Sequence, residues 1–321
     1  MSSILEMLRD NFMALLILTT LLGLLVGSFL NVVIHRIPLM LYRDWRAEIA
    51  GYLPVVMAEN PKLPADAVAA LTKSAEALQE ILPNKSSRYN LVVPRSACPK
   101  CGHQITALQN LPIISYLFQK GRCRGCKSAI SMRYPLVEFL TGLCSAALVY
   151  HFGFGLPLLA SLVFTWILIA LAFIDADTQL LPDNLLLPLL WLGIIVNYYG
   201  GTFVALPSAI LGAVVGYLVL WSVSALYQLI RGEPGMGNGD FKLLAMFGAW
   251  LGWQLLPFII ICSTMVGAVF GITLIISKQA SRNTAIPFGP YLATAGWIAL
   301  IWGNTINQLY IQAWKQGIKS L

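Results

Sequence analysis

Long apolar runs separated by short polar segments dominate the pattern of this chain. The first run, "MALLILTTLLGLLVGSFLNVVIH", covers residues 13–35. Seven more cover approximately residues 134–150, 156–174, 184–199, 203–230, 241–253, 255–277 and 288–302. Several of these runs approach the ~20 residues that an α-helix needs to cross the apolar core of a bilayer. The pattern therefore predicts an all-α polytopic membrane protein with about eight transmembrane helices.

The amino-acid composition agrees with this prediction. Of the 321 residues, 58% are hydrophobic and only 11% are charged, whereas a soluble globular domain carries roughly 25% charged residues. The run at 13–35 is too long for the apolar core of a cleaved signal peptide, and no A-x-A-like site follows it. We therefore expect residues 1–35 to contain a retained first transmembrane helix.

The distribution of charge predicts the orientation of these helices. Of the 21 Lys and Arg residues, 14 fall within residues 36–133, and the whole chain has a net charge of +7. Because cytoplasmic loops of membrane proteins carry an excess of Lys and Arg, this region is expected in the cytoplasm, and no nucleic-acid site is implied. Alternating crossings then place the turns at 151–157 and 198–202 outside. They place three other polar segments inside, at 175–183, 231–240 and 277–283.

The run at 241–253 is short for a crossing, since its 13 residues make a helix of only about 20 Å. Arg231 and the pair Lys278 and Arg282 are nevertheless expected on the same side, so an even number of crossings must separate them. This requirement favours two helices over one between residues 241 and 277.

Two aspartates share one predicted depth. Asp175 ends the apolar run "SLVFTWILIALAFID" and Asp240 begins "DFKLLAMF", so both lie at the cytoplasmic border. Ionisable residues at membrane depth tend to carry function. Structural roles compete with this interpretation: Asp240 and, more strongly, Asp183 are placed to cap a helix N-terminus. Asp177 lies on a different helix face from Asp175, and Glu138 is expected in the first turn of its helix, stabilised by the helix dipole.

Two carboxyl groups at one site can act together as an acid and a base. One stays protonated while the other ionises, because like charges resist joint ionisation. The ionised group takes a proton from a water molecule that attacks a carbonyl carbon, and the neutral group donates to the carbonyl oxygen. Neither a His-Glu-x-x-His zinc motif nor a Gly-x-Ser-x-Gly elbow is present.

The glycine-rich stretch "GMGNGD" at 235–240 precedes the second aspartate. It is not a phosphate-binding loop, because no predicted strand precedes it and no Lys-Ser/Thr pair follows. We expect Gly237 and Gly239 to form a flexible substrate loop against which an extended peptide can lie closely.

Four cysteines form two Cys-x-x-Cys pairs, separated by 21 residues: Cys98, Cys101, Cys123 and Cys126. This pattern predicts a tetrahedral zinc site, and four thiolates leave no open position, so the zinc is structural. The reducing cytosol argues against disulfides. His103 is an alternative ligand, whereas Cys144 and Cys262 are expected as core residues. The region 39–93 contains a predicted helix at 65–82 but no specific chemistry.

The quoted segments, together with "GSFLNVVIHRIP" and the cysteine-rich region, resemble the bacterial type IV prepilin peptidases. The Gly-x-Gly-Asp signature at 237–240 is also seen in presenilin-like aspartyl proteases. The resemblance implies that Asp240 is one catalytic aspartate, and that Asp175, seven residues before Pro182, is the other. It divides the chain into a first helix at 1–35, a cytoplasmic zinc domain at 36–133 and a transmembrane aspartyl peptidase domain at 134–321.

The same resemblance implies the substrates and the location. Family members cleave a short basic leader, after a glycine, from type IV prepilins and type II secretion pseudopilins at the cytoplasmic face of the bacterial inner membrane. Many also methylate the new N-terminal residue with S-adenosylmethionine, and the cysteine-rich domain accompanies that bifunctional form. The transferase residues stay unassigned. Membrane lipid is the other expected partner, and the attraction of acidic lipids for the basic domain is incidental to catalysis.

Two other functions compete with the peptidase. A secondary transporter would use the aspartates to bind protons or cations, with a regulatory zinc domain. A non-enzymatic assembly scaffold of a secretion machine would tolerate the loss of both aspartates. The Gly-x-Gly-Asp signature favours the peptidase, because neither rival requires it.

Overall fold

The computed structural model describes residues 2–81, 89–199, 201–233, 235–277 and 286–319. Apart from Ser277, the predicted cytoplasmic loop at 277–283 lies outside this part of the chain, as does Leu82 at the end of the predicted helix at 65–82. Within the described ranges the structure is helical, and its only strand-like pairing consists of two isolated β-bridges.

Eleven α-helices and two short 3₁₀ helices form the described structure. The α-helices are α1 (Ser2–Asp10), α2 (Phe12–Glu59), α3 (Ala65–Ile81), α4 (Ile114–Phe118), α5 (Arg133–Phe152), α6 (Leu156–Thr178), α7 (Asp183–Tyr198), α8 (Leu206–Arg231), α9 (Asn238–Leu251), α10 (Leu256–Ile276) and α11 (Gly289–Lys319). The 3₁₀ helices are Ala107–Asn110 and Trp253–Leu255.

The predicted class is confirmed. Helices α2 and α5 to α11 coincide with the eight apolar runs of the sequence. Among the residues that the structure describes, five helical segments are long and apolar enough to cross a membrane: α2, α5, α6, α8, and α10 with the 3₁₀ turn before it. Helix α7 is a shorter apolar helix. The described part of the chain is therefore an all-α polytopic membrane protein with a cysteine cluster between α2 and α5.

Helix α2 is much longer than its apolar run. The Asn11 side chain accepts a hydrogen bond from the Ala14 amide at 3.0 Å and caps the helix. The helix then continues past residue 35 to Glu59 without a break. Helix α3 packs against this second half, where Ala50 and Ala75 are buried. The predicted polar region 39–93 thus begins as an extension of the first apolar helix.

Small residues allow the apolar helices to approach closely. A Cβ added to Gly27 of α2 would lie 2.7 Å from the Glu138 Cα of α5, and one added to Gly248 of α9 would lie 2.0 Å from the Gly212 carbonyl oxygen of α8. Such contacts are typical of helices that associate within membranes. Helix α9 is enclosed as a result: Phe241 and residues 243–251 are all buried, so this short helix contacts protein rather than lipid.

Candidate active site

Asp175 lies in the last turn of α6 and is only 5% exposed. The helix ends just beyond it because Gln179 adopts the left-handed conformation, with φ 55° and ψ 30°. The Gln179 amide donates to the Asp175 carbonyl at 2.9 Å. The carboxylate is therefore held at the end of a rigid apolar helix, as expected for a residue at the membrane border.

The N-terminus of α11 contacts this carboxylate directly. The Gly289 amide donates to Asp175 Oδ2 at 2.8 Å. A Cβ added to Gly289 would lie 2.6 Å from the same oxygen, so a side chain at position 289 would displace the carboxylate. Gly289 was not predicted as a residue of the site. The Gly-Pro pair at the start of the last apolar run indicates a helix start. It does not indicate that this helix start contacts Asp175.

Asp240 lies in the first turn of α9 and is half-buried. It is near enough to Asp175 for the two side-chain charges to interact, so the structure brings together the two predicted aspartates. The capping role considered for Asp240 is wrong, because the residue at the cap position is Gly237. A carboxylate in the first turn is instead favoured by the dipole of α9.

The two glycines before Asp240 are not equivalent. Gly237 is exposed, and a Cβ added there would meet only Asp240 Oδ2, at 3.9 Å. Gly239 is already helical and packs closely, since an added Cβ would lie 2.8 Å from the Leu181 Cβ. Residues 238–240 therefore start a helix rather than form a flexible loop, and the substrate contact predicted for Gly237 and Gly239 stays a prediction.

Asp177 and Asp183 both form ion pairs. Asp177 contacts the Arg133 guanidinium at 2.5 Å, and both oxygens of Asp183 lie 2.7 Å from Lys242 Nζ. The prediction that Asp183 caps α7 is wrong, because Pro182 is at the cap position and the Asp183 carboxylate points to α9 instead. These ion pairs distinguish Asp177 and Asp183 from Asp175 and Asp240, which have no Lys or Arg partner among the described residues.

Glu138 is also placed differently from the prediction. Helix α5 begins at Arg133, so Glu138 lies beyond its first turn, where the helix dipole has little effect. Its Oε2 accepts a hydrogen bond from the Ile113 amide at 2.7 Å. The carboxylate therefore ties the cysteine-containing segment to an apolar helix.

The four predicted thiols form a compact cluster. The sulfur atoms of Cys98, Cys101, Cys123 and Cys126 all lie within 4.8 Å of one another, and two of the pairs are 3.9 Å apart. A tetrahedron with metal–sulfur bonds of about 2.3 Å has edges of about 3.8 Å, so the cluster fits a metal ion held by four thiolates. His103 is not among the residues of the cluster.

Each half of the cluster is a short turn with the same hydrogen bonds. The Cys98 amide donates to the His103 carbonyl, and the Cys123 amide donates to the Ser128 carbonyl, both at 2.9 Å. Hydrogen bonds from the Lys100 and Cys101 backbone lower the pKa of Cys98 to about 6, and those from Ser128 lower the pKa of Cys126. Both shifts favour the thiolate that binds metal ions. At Cys101 a hydrogen bond from the His103 backbone lowers the pKa, but burial and the neighbouring thiols together raise it to about 11.

Two family models match the chain, and each contains one of the two sites. The Bacterial Peptidase A24 N-terminal domain matches residues 21–152, which include all four cysteines. The Type IV leader peptidase family matches residues 162–272, which include both aspartates. Gly289 lies beyond the second match.

Curated relatives are similar along nearly the whole chain, and each is named a prepilin leader peptidase/N-methyltransferase. The protein of Aeromonas salmonicida is 51% identical over 92% of this chain and 93% of its own length. That of Pseudomonas aeruginosa is 50% identical over 96% and 98%, and that of Neisseria gonorrhoeae is 46% identical over 88% of both. No solved structure matches the chain significantly.

Proposed function

The chain belongs to the type IV leader peptidase family, and from that premise we propose that it is a prepilin leader peptidase and N-methyltransferase in which Asp175 and Asp240 cleave the leader. The observation that carries this proposal is that the two carboxylates lie where α6 ends and α9 begins, near enough for their charges to interact. The relatives support the peptidase and give no support to the transporter.

The pair cleaves by acid–base chemistry. The ionised carboxyl takes a proton from a water molecule, whose oxygen bonds to the scissile carbonyl carbon, while the neutral carboxyl gives its proton to the carbonyl oxygen. The tetrahedral intermediate then loses the C–N bond: the leaving nitrogen takes a proton from one carboxyl of the pair, and a hydroxyl of the intermediate returns its proton to the other. The Gly289 amide holds Asp175 Oδ2 throughout, so the carboxylate keeps one orientation.

The depth of the pair suits a substrate cut at the membrane border. The Arg133–Asp177 ion pair lies beside Asp175, and such charges favour the polar face of a bilayer. The prepilins and pseudopilins that the resemblance implies carry a basic leader before an apolar helix. With the helix in the inner membrane and the leader in the cytoplasm, the bond between them reaches Asp175 and Asp240. We place both sites on the cytoplasmic side for this reason.

The cysteine cluster supports the second activity. Four thiolates at tetrahedral spacing are the ligand set of structural zinc, so we propose Zn²⁺ as the metal of Cys98, Cys101, Cys123 and Cys126. The methyltransferase names of the relatives imply S-adenosylmethionine as the methyl donor. It supplies the methyl group for the new N-terminal amine, and no residue of the chain is assigned to hold it.

Replacement of either aspartate tests the peptidase. In nanodiscs containing the full-length protein and a purified type IV prepilin, Asp175→Asn and Asp240→Asn each lose the acid–base group. We expect each variant to slow leader removal by about 10³-fold or more. The measurement is mass spectrometry of the intact substrate, which separates leader loss from methylation.

Asp177→Asn is the matched control, because Asp177 lies two residues from Asp175 but is bound to Arg133. It should cleave within about threefold of the parent, as expected when an exposed ion pair is lost. Normal cleavage by Asp175→Asn, or an equal loss in Asp177→Asn, would overturn the assigned pair. Ion or proton flux in proteoliposomes without any cleavage would instead identify a transporter.

A further inference from the structure

The segment 107–118, which precedes the second pair of cysteines, is apolar and open. It contains the 3₁₀ helix Ala107–Asn110 and helix α4. The side chain of Leu108 is 78% exposed, that of Leu117 is 67% exposed and that of Phe118 is 83% exposed. Large apolar side chains this open to water are unfavourable, and three of them within one short segment indicate that the segment needs an apolar partner.

Contacts with α2 and α5 fix the depth of this segment. The Ser28 hydroxyl of α2 donates to the Asn110 carbonyl at 3.3 Å, and Glu138 of α5 accepts from the Ile113 amide. These two anchors lie at one level, because Gly27 packs directly on Glu138. Glu138 is five residues along α5 from Arg133, which at the helical rise is about 7.5 Å.

Arg133 marks the charged border, since it forms the ion pair with Asp177. The turn at 110–113 therefore lies on the membrane side of that border, within the thickness that the apolar helices occupy. Backbone that leaves helical geometry at this depth must have its polar groups satisfied by protein. Ser28 and Glu138 supply those partners, which gives a physical reason for a carboxylate inside the apolar helix α5.

The charge next to the segment complements an acidic surface. Residues 89–133 contain seven Lys and Arg residues and no Asp or Glu. Phe118 shares one surface depression with four of the basic residues: Lys120, Arg122, Arg124 and Lys127. A basic cluster beside apolar residues at membrane level is typical of segments that bind anionic lipids.

We infer that residues 107–118, here called the anchor segment, insert into the lipid leaflet on the side of the cysteine cluster, with Lys120, Arg122, Arg124 and Lys127 at the headgroups of acidic lipids. The partner of the exposed face is thus the bilayer, continuous with the lipid that surrounds α2 and α5. The anchor segment holds the four-cysteine cluster at the membrane surface, at the level of the aspartate pair. This inference concerns the placement of the cluster and does not depend on either proposed activity.

Photo-crosslinking of the full-length protein in nanodiscs with phosphatidylglycerol tests the insertion. A benzophenone amino acid replaces Phe118, or Leu117 in a second variant, and lipid adducts are quantified by mass spectrometry. Two exposed aromatic positions are the references: Phe139 on α5, 54% exposed, and Tyr52 on the extension of α2, 64% exposed. We expect adduct yields at Phe118 within about threefold of those at Phe139, and at least about tenfold above those at Tyr52.

A yield at Phe118 and Leu117 as low as that at Tyr52 would overturn the insertion. So would crosslinks to a second copy of the chain or to added prepilin in place of lipid. Bound metal, measured on each variant, shows that the cysteine cluster remains folded, so a low yield cannot be attributed to loss of the fold.

Charge reversal tests the acidic headgroups. Lys120→Glu with Lys127→Glu should lower the adduct yield at Phe118 several-fold in phosphatidylglycerol nanodiscs and leave it unchanged in phosphatidylcholine nanodiscs. Lys62→Glu with Lys73→Glu is the control, since it reverses the same number of exposed charges at and just before α3, the helix that packs on the far half of α2. Equal yields in both lipids for the double variant and the parent would overturn the role of acidic lipid.

Discussion

The cysteine cluster and the aspartate pair are both small groups of polar side chains, but the chain assembles them differently. The cluster comes from residues 98–126, and the hydrogen bonds that shape its two turns join residues five positions apart or fewer. The pair and its backbone donor come from α6, α9 and α11, and the hydrogen bond to Asp175 spans 114 positions. The geometry of each half of the cluster is therefore set locally, although the two halves meet across 22 to 28 positions. The geometry of the pair depends on how three helices pack.

The packing that fixes the pair is aromatic and lies deeper in the same three helices. Phe164 of α6 meets Phe247 of α9 edge to face, with ring centroids 5.9 Å apart. The indole nitrogen of Trp297 in α11 donates to the Thr165 hydroxyl of α6 at 3.1 Å. A Cβ added to Gly296 of α11 would lie 2.0 Å from the Phe247 ring. These contacts set the relative positions of α6, α9 and α11, and through them the positions of the carboxylates.

The largest effect is expected when one cysteine of the cluster is removed, because methylation should be lost while cleavage is almost unchanged. Cys98→Ser removes one of four thiolates from the cluster. We expect loss of the bound metal and of methylation, because a four-thiolate site and the fold around it form together. Leader removal should stay within about threefold, since none of the cysteines belongs to α6, α9 or α11. Elemental analysis and mass spectrometry of the processed prepilin measure the three quantities.

If Cys98→Ser lost the metal but kept full methylation, the proposed dependence of methylation on the cysteine cluster would be refuted. Loss of cleavage together with the metal would show that the two regions are not independent. Cys144→Ser is the control for a thiol of an apolar helix, since Cys144 lies in α5 and outside the cluster.

A smaller effect is expected at the contact between α11 and the pair. Gly289→Ala adds a Cβ where it would lie 2.6 Å from Asp175 Oδ2. The carboxylate must move, and a misplacement of this size costs about 10²-fold in rate. We expect kcat for leader removal to fall by that factor, with metal content and methylation of a pre-cleaved substrate unchanged.

Gly51→Ala is the matched control, because a Cβ added to Gly51 would meet no atom within 4 Å. If Gly289→Ala cleaves as fast as Gly51→Ala, the contact with α11 does not position Asp175. A parallel loss of metal would show that α11 supports the cluster as well.

The smallest effect is expected at the ion pair near Asp240. Lys242→Met breaks the contact with Asp183, whose side chain is 53% exposed. Exposed pairs contribute about 0–1 kcal/mol, so the free energy of unfolding should change by no more than about 1 kcal/mol. Thermal unfolding of this variant, of Asp183→Asn and of the double variant measures the coupling between the two residues. A tenfold loss of cleavage at unchanged stability would show that Lys242 acts in the chemistry.

The sequence predicted the cluster more completely than the pair. Two Cys-x-x-Cys spacings specify four thiols and a tetrahedral site, because each spacing corresponds to one short turn. For Asp175 and Asp240 the charge pattern predicted a shared depth, and the structure brings their charges together. That pattern contained no information on the distance between them, because depth in a membrane restricts only one of three coordinates.

Two wrong predictions about carboxylates, at Asp183 and Glu138, have the same cause. Asp183 was expected to cap a helix, and instead it pairs with Lys242, 59 positions away. Glu138 was expected to be stabilised by a helix dipole, and instead it accepts the Ile113 amide. In each case the local interpretation was physically possible, but the carboxylate binds a partner from a distant segment of the chain.

By itself, the sequence determined the class of protein, its apolar helices, its four thiols and the two carboxylates at one depth. These follow from composition, from run length and from short spacings, which act within about one turn or one helix. Only the tertiary structure decided that α11 contributes the Gly289 amide to Asp175 and that Gly239 packs on Leu181. It also decided that residues 110–113 fit between α2 and α5. The physical reason is that close packing of helices joins residues whose separation in the chain leaves no local pattern.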